Sequence, residues 1–417
     1  MRTKNITIVI LFLIALINLT GCAGSGEKLE RPPKIVSMRK EVLDSAAYKK
    51  LADAWHKYNT AYPSEDAYSN WMYATKYTEN PKFRRLLKEG VKKYPGSPTL
   101  QYLLGVMASV YQEPGTGIPE MEKAAALDPS YDDPWYGLAT AYLSIGDEAR
   151  TDSALKHLLE LGAVTDDVMD YNYNVLSLLQ PNAILLTNGD NDTYPCWLLT
   201  RVVKYRPDVM IVNRSLLETA WYPERLMQEG MPSFVDCETL ARLRKAASVA
   251  DSSTFSGYYP RIAGDSLFLR IIAAAKQAGR PVYSAYTVQM TPVLKTLFSN
   301  SLHLGLVFLL TPPPGDLDAV RIDALDTWLK GFRTGGLDGW RLRYSKPRDS
   351  GRMMSRNFAF GLIELYFALP PAQMQQFHPQ VTDWFEKHAA GVCDATQLVM
   401  IRQHLEIAEP SDGKASQ

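Results

Sequence analysis

The chain has 417 residues, with 45 basic and 45 acidic side chains, a formal net charge of zero and 46% hydrophobic residues. That balance leaves no electrostatic footprint for nucleic acid or for an anionic membrane surface, and the length allows two or three domains with sizeable cores. Four cysteines without CxxC spacing and six histidines without an HxH or HExxH pattern give no zinc signature, so neither a metal nor a cofactor is expected.

The first 22 residues read as an address. Arg2 and Lys4 precede the apolar run Ile6–Leu19, broken only by Thr7 and Asn18, and the run leads into Leu19-Thr20-Gly21-Cys22. It falls short of the ~20 residues that cross a bilayer. A basic start, a short apolar core and small residues describe a secretory signal. Cys22 stands where a lipobox places the cysteine that is lipidated and becomes residue one. The expectation is a lipoprotein signal peptide over residues 1–21, lipidation at Cys22, and a net charge of about minus two afterwards, since Arg2 and Lys4 are lost with no acid. Residues 22–39 carry Ala-Gly-Ser-Gly, alternating charges and Pro32-Pro33, the composition of a flexible tether. No acidic run follows the cysteine. The expected location is the periplasmic face of a bacterial membrane, the outer one, with the lipid as its membrane partner.

Residues 40–178 show a period. Tyr94-Pro95 and Asp128-Pro129 each close a helical stretch, and the two prolines lie 34 residues apart, the tetratricopeptide spacing. Leu104, Gly105 and Ala124 fall where that repeat wants one large and two small residues. Trp135-Tyr136-Gly137-Leu138-Ala139-Thr140-Ala141-Tyr142 matches the W-x-x-L-[GA]-x-x-Y half of the motif. Gly146-Asp147 supplies a turn and Ala154–Leu161 a second helix. About three tetratricopeptide-like repeats are expected, with Gly105, Ala124, Leu138, Ala139 and Tyr142 at helix contacts; an irregular helical bundle is the competing reading. Such an array grips proteins, so an envelope protein is the expected partner.

At Pro181 the pattern changes. Ala183–Thr187 reads as a strand, Asn188–Asp192 as a polar turn, Tyr194–Lys204 as a helix and Asp208–Asn213 as a second strand, together a βαβ unit. Leu267–Gln277 follows as a helix, with Pro281–Thr287 and Leu304–Leu310 as further strands. Residues 316–330, 351–368 and 372–389 look helical. The fold class expected is α + α/β: a helical repeat array followed by a Rossmann-like parallel α/β domain over 181–369, C-terminal helices over 370–408 and a disordered tail over 409–417.

In such sheets ligands sit beyond the carboxyl ends of the strands. Two loops there carry the tentative ligand-binding residues: Asp190, Asn191 and Asp192 in the first, then Asn213 and Ser215 leading to Trp221 and Tyr222. All seven are expected on one crevice, with Gln289 after the third strand nearby. The first loop lacks a Gly-rich phosphate cradle, and its carboxylates repel anions. Carboxylates and amides beside aromatic rings suit a hydroxyl-rich or cationic ligand, or a hard cation such as calcium. Against this, Asp192 and Thr193 are good helix caps. No Ser-His-Asp, Walker or thiol-nucleophile pattern occurs, so no catalytic residue is assigned. Arg341, Arg343, Arg348, Arg352 and Arg356 form either a solvated face or the counter-charges of the loop.

The run NGDNDTYPCWLLTRVVKYRPDVMIVNRSLLETAWY, residues 188–222, resembles the soluble C-terminal region of bacterial protein O-mannosyltransferase-like membrane proteins. RPVYSAYTV (280–288), GGLD (335–338) and RMMSRNFAFGLIEL (352–365) recur there in the same order. Cys196 replaces an expected aliphatic residue, and Ala220 an acidic one. Members carry their catalytic machinery in a membrane half that this chain lacks. The resemblance implies a link to envelope glycan or glycoprotein chemistry, with Asp190, Asn191 and Asp192 as the matched loop and a glycan as the candidate ligand. The function expected is a non-catalytic scaffold with a polar-ligand-binding α/β domain. The alternative is a hydrolase or glycosyl-transfer enzyme using Asp190 or Asp192.

Overall fold

The structure, a computed structural model, describes residues 29–108, 113–219, 221–249, 261–289 and 291–406. The signal peptide, Cys22, Ala220 and the tail over 409–417 lie outside the described residues.

The first half is helical. Ser45–Ala61 and Glu65–Lys76 pack on each other, as do Pro98–Ala108 with Ile118–Leu127 and Asp133–Ser144 with Glu148–Glu160. The three-residue connections at 62–64 and 145–147 make the first and third pairs hairpins. Their starts carry local signals: Asp44, Ser64 and Asp147 each accept a backbone N–H of the first turn. Close approach needs small residues at one point. A Cβ on Gly105 would lie 2.6 Å from Met121 Cγ and 2.9 Å from the Gly117 carbonyl oxygen.

Residues 33–39, which read as part of a tether, are held against these helices. Trp55 Nε1 donates to the Pro33 carbonyl at 2.9 Å, and the Ile35 amide donates to Asn70 Oδ1 at 2.9 Å. Ile35 is buried in the N-terminal core beside Trp55 and Met72. Apolar burial outweighs the flexibility that the Pro pair and charges suggest.

The second half holds a five-stranded sheet in the order β2-β1-β3-β5-β4. The strands are β1 Ile184–Thr187, β2 Met210–Asn213, β3 Val282–Ala285, β4 Leu302–His303 and β5 Val307–Leu309. β1 is parallel to β2 and β3, as expected of a βαβ unit. The sheet as a whole is mixed, not parallel: β5 runs antiparallel to β3 and to β4. Gly305, with a φ of 82°, turns the chain near the start of the expected strand Leu304–Leu310, so only Val307–Leu309 is strand there and it pairs back on Leu302–His303. β1 has all four residues buried, consistent with a sheet covered on both faces.

Helices Asp133–Ser144 and Asp166–Ser177 share one apolar core with the sheet and with the C-terminal helices Ser350–Phe367 and Pro371–Trp384. The short helix Gly335–Asp338 sits on Asp166–Ser177 so closely that a Cβ on Gly336 would lie 2.4 Å from Asp167 Cα and 2.6 Å from its nitrogen. Backbone atoms cannot yield as a flexible side chain can. Gly336→Ala should therefore lower stability by ~3 kcal/mol, the upper part of the overpacking range. Gly331→Ala, with nothing within 4 Å, should be silent. Urea unfolding of both variants checks the contrast.

Candidate functional site

The winding of the sheet reverses at β1: the chain passes to β2 on one side and then to β3 on the other. Such reversals open a crevice beyond the carboxyl ends of the strands. The loop Asn188–Asp192 leaves β1 there and runs into the helix Asp190–Trp197.

Asp192 is 3% exposed and fully engaged. It accepts the amides of Asn188 at 2.7 Å and Gly189 at 2.8 Å, and the Thr287 hydroxyl from the end of β3. Burial pushes its carboxyl above the ordinary value, although all three hydrogen bonds pull it down. Its geometry is that of a helix-capping residue that also ties the β1 and β3 loops together.

Asp190 differs. Its side chain is 48% exposed, and it pairs with Arg39 Nη1 at 3.0 Å. Arg39 comes from the N-terminal segment, is nearly buried, and lies with its guanidinium 4.2 Å from the Tyr136 ring centre. Its other terminal nitrogen donates to Asp133. Asp133 also accepts the hydroxyls of Tyr73 at 2.6 Å and Tyr131 at 3.0 Å. Burial would raise the Asp133 carboxyl, but Arg39, the Tyr73 hydroxyl and Lys76 outweigh it and hold the group below its ordinary value. Asn191 adds a second tie, donating from Nδ2 to the Arg39 carbonyl at 3.2 Å.

Asn213, at the end of β2, is buried: its Nδ2 donates to Thr193 Oγ1 at 2.8 Å and its Oδ1 accepts the Leu216 amide at 2.9 Å. Ser215 is exposed and donates to the Asn188 carbonyl at 3.3 Å. A cavity of about 190 Å³ brings Asp190 and Asn213 together with Arg39, Lys76, Tyr102 and Trp197. It lies on the seam between the N-terminal helices and the β1 and β2 loops.

Trp221 and Tyr222 do not join this crevice as expected. They pack edge to face at 5.3 Å in the core, with the Tyr222 hydroxyl accepting the Asn213 amide at 3.0 Å. Aromatic bulk at the start of a helix is worth more buried beneath the sheet than exposed at its edge. The arginines do not pair with the loop carboxylates either. Arg341 binds Asp167 at 2.8 Å and Asp349 at 3.1 Å, while Arg352 and Arg356 donate to backbone carbonyls. The helix of Arg352 and Arg356 sits against Asp166–Ser177, and Arg341 lines a second cavity with Arg39 and Asn191 without pairing with Asp190.

Sequence reasoning missed Arg39, Lys76, Tyr102 and Asp133. Asp133 had a faint signal, being a carboxylate beside Pro134 at the start of an apolar helix. Among the described residues no three or more His, Cys, Asp or Glu side chains gather as a metal site.

Residues 168–234 match the family model of TMEM260-associated domain 2, a family linked to O-mannosyltransferase-like proteins. The matched span runs from the helix before β1 through the Asp190 loop and β2. No curated protein and no solved structure matches the chain.

Proposed function

We propose that the chain is a lipoprotein, anchored through Cys22 to the periplasmic face of a bacterial membrane, the outer one, that acts as a scaffold in envelope or glycoprotein biogenesis. Its tetratricopeptide-like array over 40–178 holds an envelope protein. Its Rossmann-like α/β domain over 181–369 binds a polar, glycan-type ligand at the seam.

The observation that carries this reading is the half-exposed Asp190 at the wall of a cavity that both halves build. Carboxylate and amide acceptors beside Tyr102 and Trp197 rings suit a sugar, whose hydroxyls donate and whose C–H faces pack on aromatic surface. The family match supports the link to glycan chemistry. An enzymatic use of Asp192 finds less support, because its oxygens are taken by two amides and Thr287.

A pull-down of the lipidated full chain from native membranes tests the proposal. The expected result is enrichment of a glycan-bearing envelope protein that free methyl α-mannoside releases. Recovery of no such protein above the untagged control would refute the scaffold reading.

A further inference from the structure

The Asp190 loop, read alone, repels anions. In the folded chain Arg39 pairs with that charge at 3.0 Å while also binding Asp133, so the repulsion is reduced. A second cation then faces the same cavity. Lys76, from the helix Glu65–Lys76, lines it and is half-buried. Its Nζ lies 5.6, 5.1 and 5.3 Å from the ring centres of Tyr73, Tyr77 and Tyr102. Three aromatic faces hold the ammonium in place but offer it no acceptor lone pair. Among the described residues Lys76 makes no ion pair, its charge acting on Asp133 only at longer range, whereas Arg39 is taken by Asp133 and Asp190. The Arg39 Nε is also buried without a partner. An ammonium stripped of part of its water and left without an acceptor calls for one from outside.

We infer that the cavity takes a sugar bearing an anionic group, a phosphate or carboxylate, with that group on Lys76 and the sugar hydroxyls on Asp190. The inference rests on the glycan-binding reading of this same site and adds the charge of its ligand. The opposed charges set the orientation: hydroxyls donate to Asp190, and the anion takes the Lys76 protons. A neutral sugar fills only the Asp190 end.

Calorimetric titration of the full chain with mannose 6-phosphate, mannuronate, methyl α-mannoside and inorganic phosphate tests this. The anionic sugars should bind at least tenfold more tightly than the neutral one. Lys76→Met should abolish that preference, so that anionic and neutral sugars then bind alike, and Lys76→Arg should keep most of it. In the unaltered chain the preference should shrink as salt rises, a readout independent of how any variant folds. Equal affinities, or a preference that survives Lys76→Met, overturn the inference and leave the glycan reading standing. Inorganic phosphate binding as tightly as the sugar phosphate overturns it as well. Binding of no sugar at all overturns both.

Discussion

Arg39→Met should cost the folded chain about 3–5 kcal/mol, the range for removing one partner of a buried ion pair. Asp133 is 4% exposed and would keep the hydroxyls of Tyr73 and Tyr131 and the more distant charge of Lys76. Asp190 would lose its counter-charge, a smaller effect because that side chain is half in water. The loss should fall largely on Asp133, so Arg39→Met combined with Asp133→Asn should recover part of it. Urea unfolding of the two single variants and the double variant gives the coupling between them. Additive effects, with no recovery in the double variant, would mean that the pair does not hold the N-terminal segment to the helices.

Cys22→Ser should move the chain from the membrane to the soluble fraction completely. The thiol is the only attachment point that the proposal provides, and no helix among the described residues is long and apolar enough to cross a membrane. Attachment by one or more acyl chains depends on that covalent bond, because each buried methylene contributes ~0.8 kcal/mol. Fractionation after a high-salt wash separates lipid anchoring from charge-mediated adhesion. A variant that still sediments with membranes would refute the lipoprotein assignment.

The parts of the site legible in the sequence are those fixed by local pattern. Alternation of an apolar run, a polar turn and an apolar helix placed the Asp190 loop after β1 and Asn213 at the end of β2, because one βαβ unit puts both on one sheet edge. What escaped was long-range. Arg39 lies 151 residues from Asp190 and 94 from Asp133, in a segment whose prolines and charges read as linker. No local pattern couples these positions; only the docking of the helices on the sheet does so. Trp221 and Tyr222 misled because an aromatic pair after a strand suits a crevice and a core equally. Gly305 was readable: an isolated glycine in an apolar run marks a turn, and the hairpin β4–β5 follows from it. The bounds 40–178 put residues 166–177 inside the array, yet Val168, Tyr171 and Val175 of the helix there belong to the same core as the sheet.

The pH response follows the same division between paired and buried acids. Arg206, by its side-chain hydrogen bonds, holds the Asp208 carboxyl down at about 2, below its ordinary 3.8. The pair closes the turn before β2, where Arg206 also donates to the carbonyls of Leu176 and Leu179. A depressed acid contributes stability above its unfolded value and loses it as pH falls through the folded one. Acid unfolding should thus show a component between about pH 4 and 2 that Asp208→Asn removes. An unchanged acid profile in that variant would count against the pairing.

In the proposed function Asp190 serves a ligand while Asp192 serves the fold, and paired measurements on Asp190→Ala and Asp192→Ala separate the two roles. Melting temperature and retention of a mannosylated partner or peptide are read on both full-length variants. Asp192→Ala should lower stability by at least ~1 kcal/mol, the usual cost of a lost cap, since it also frees Thr287 and two amides. Asp190→Ala should stay within about 0.5 kcal/mol of the parent, because Asp190 is half in water and Arg39 keeps Asp133, and it should lose retention. An Asp190→Ala variant that retains the partner and the peptide at parental levels would rule out a ligand role for Asp190 and leave the α/β domain as a structural platform.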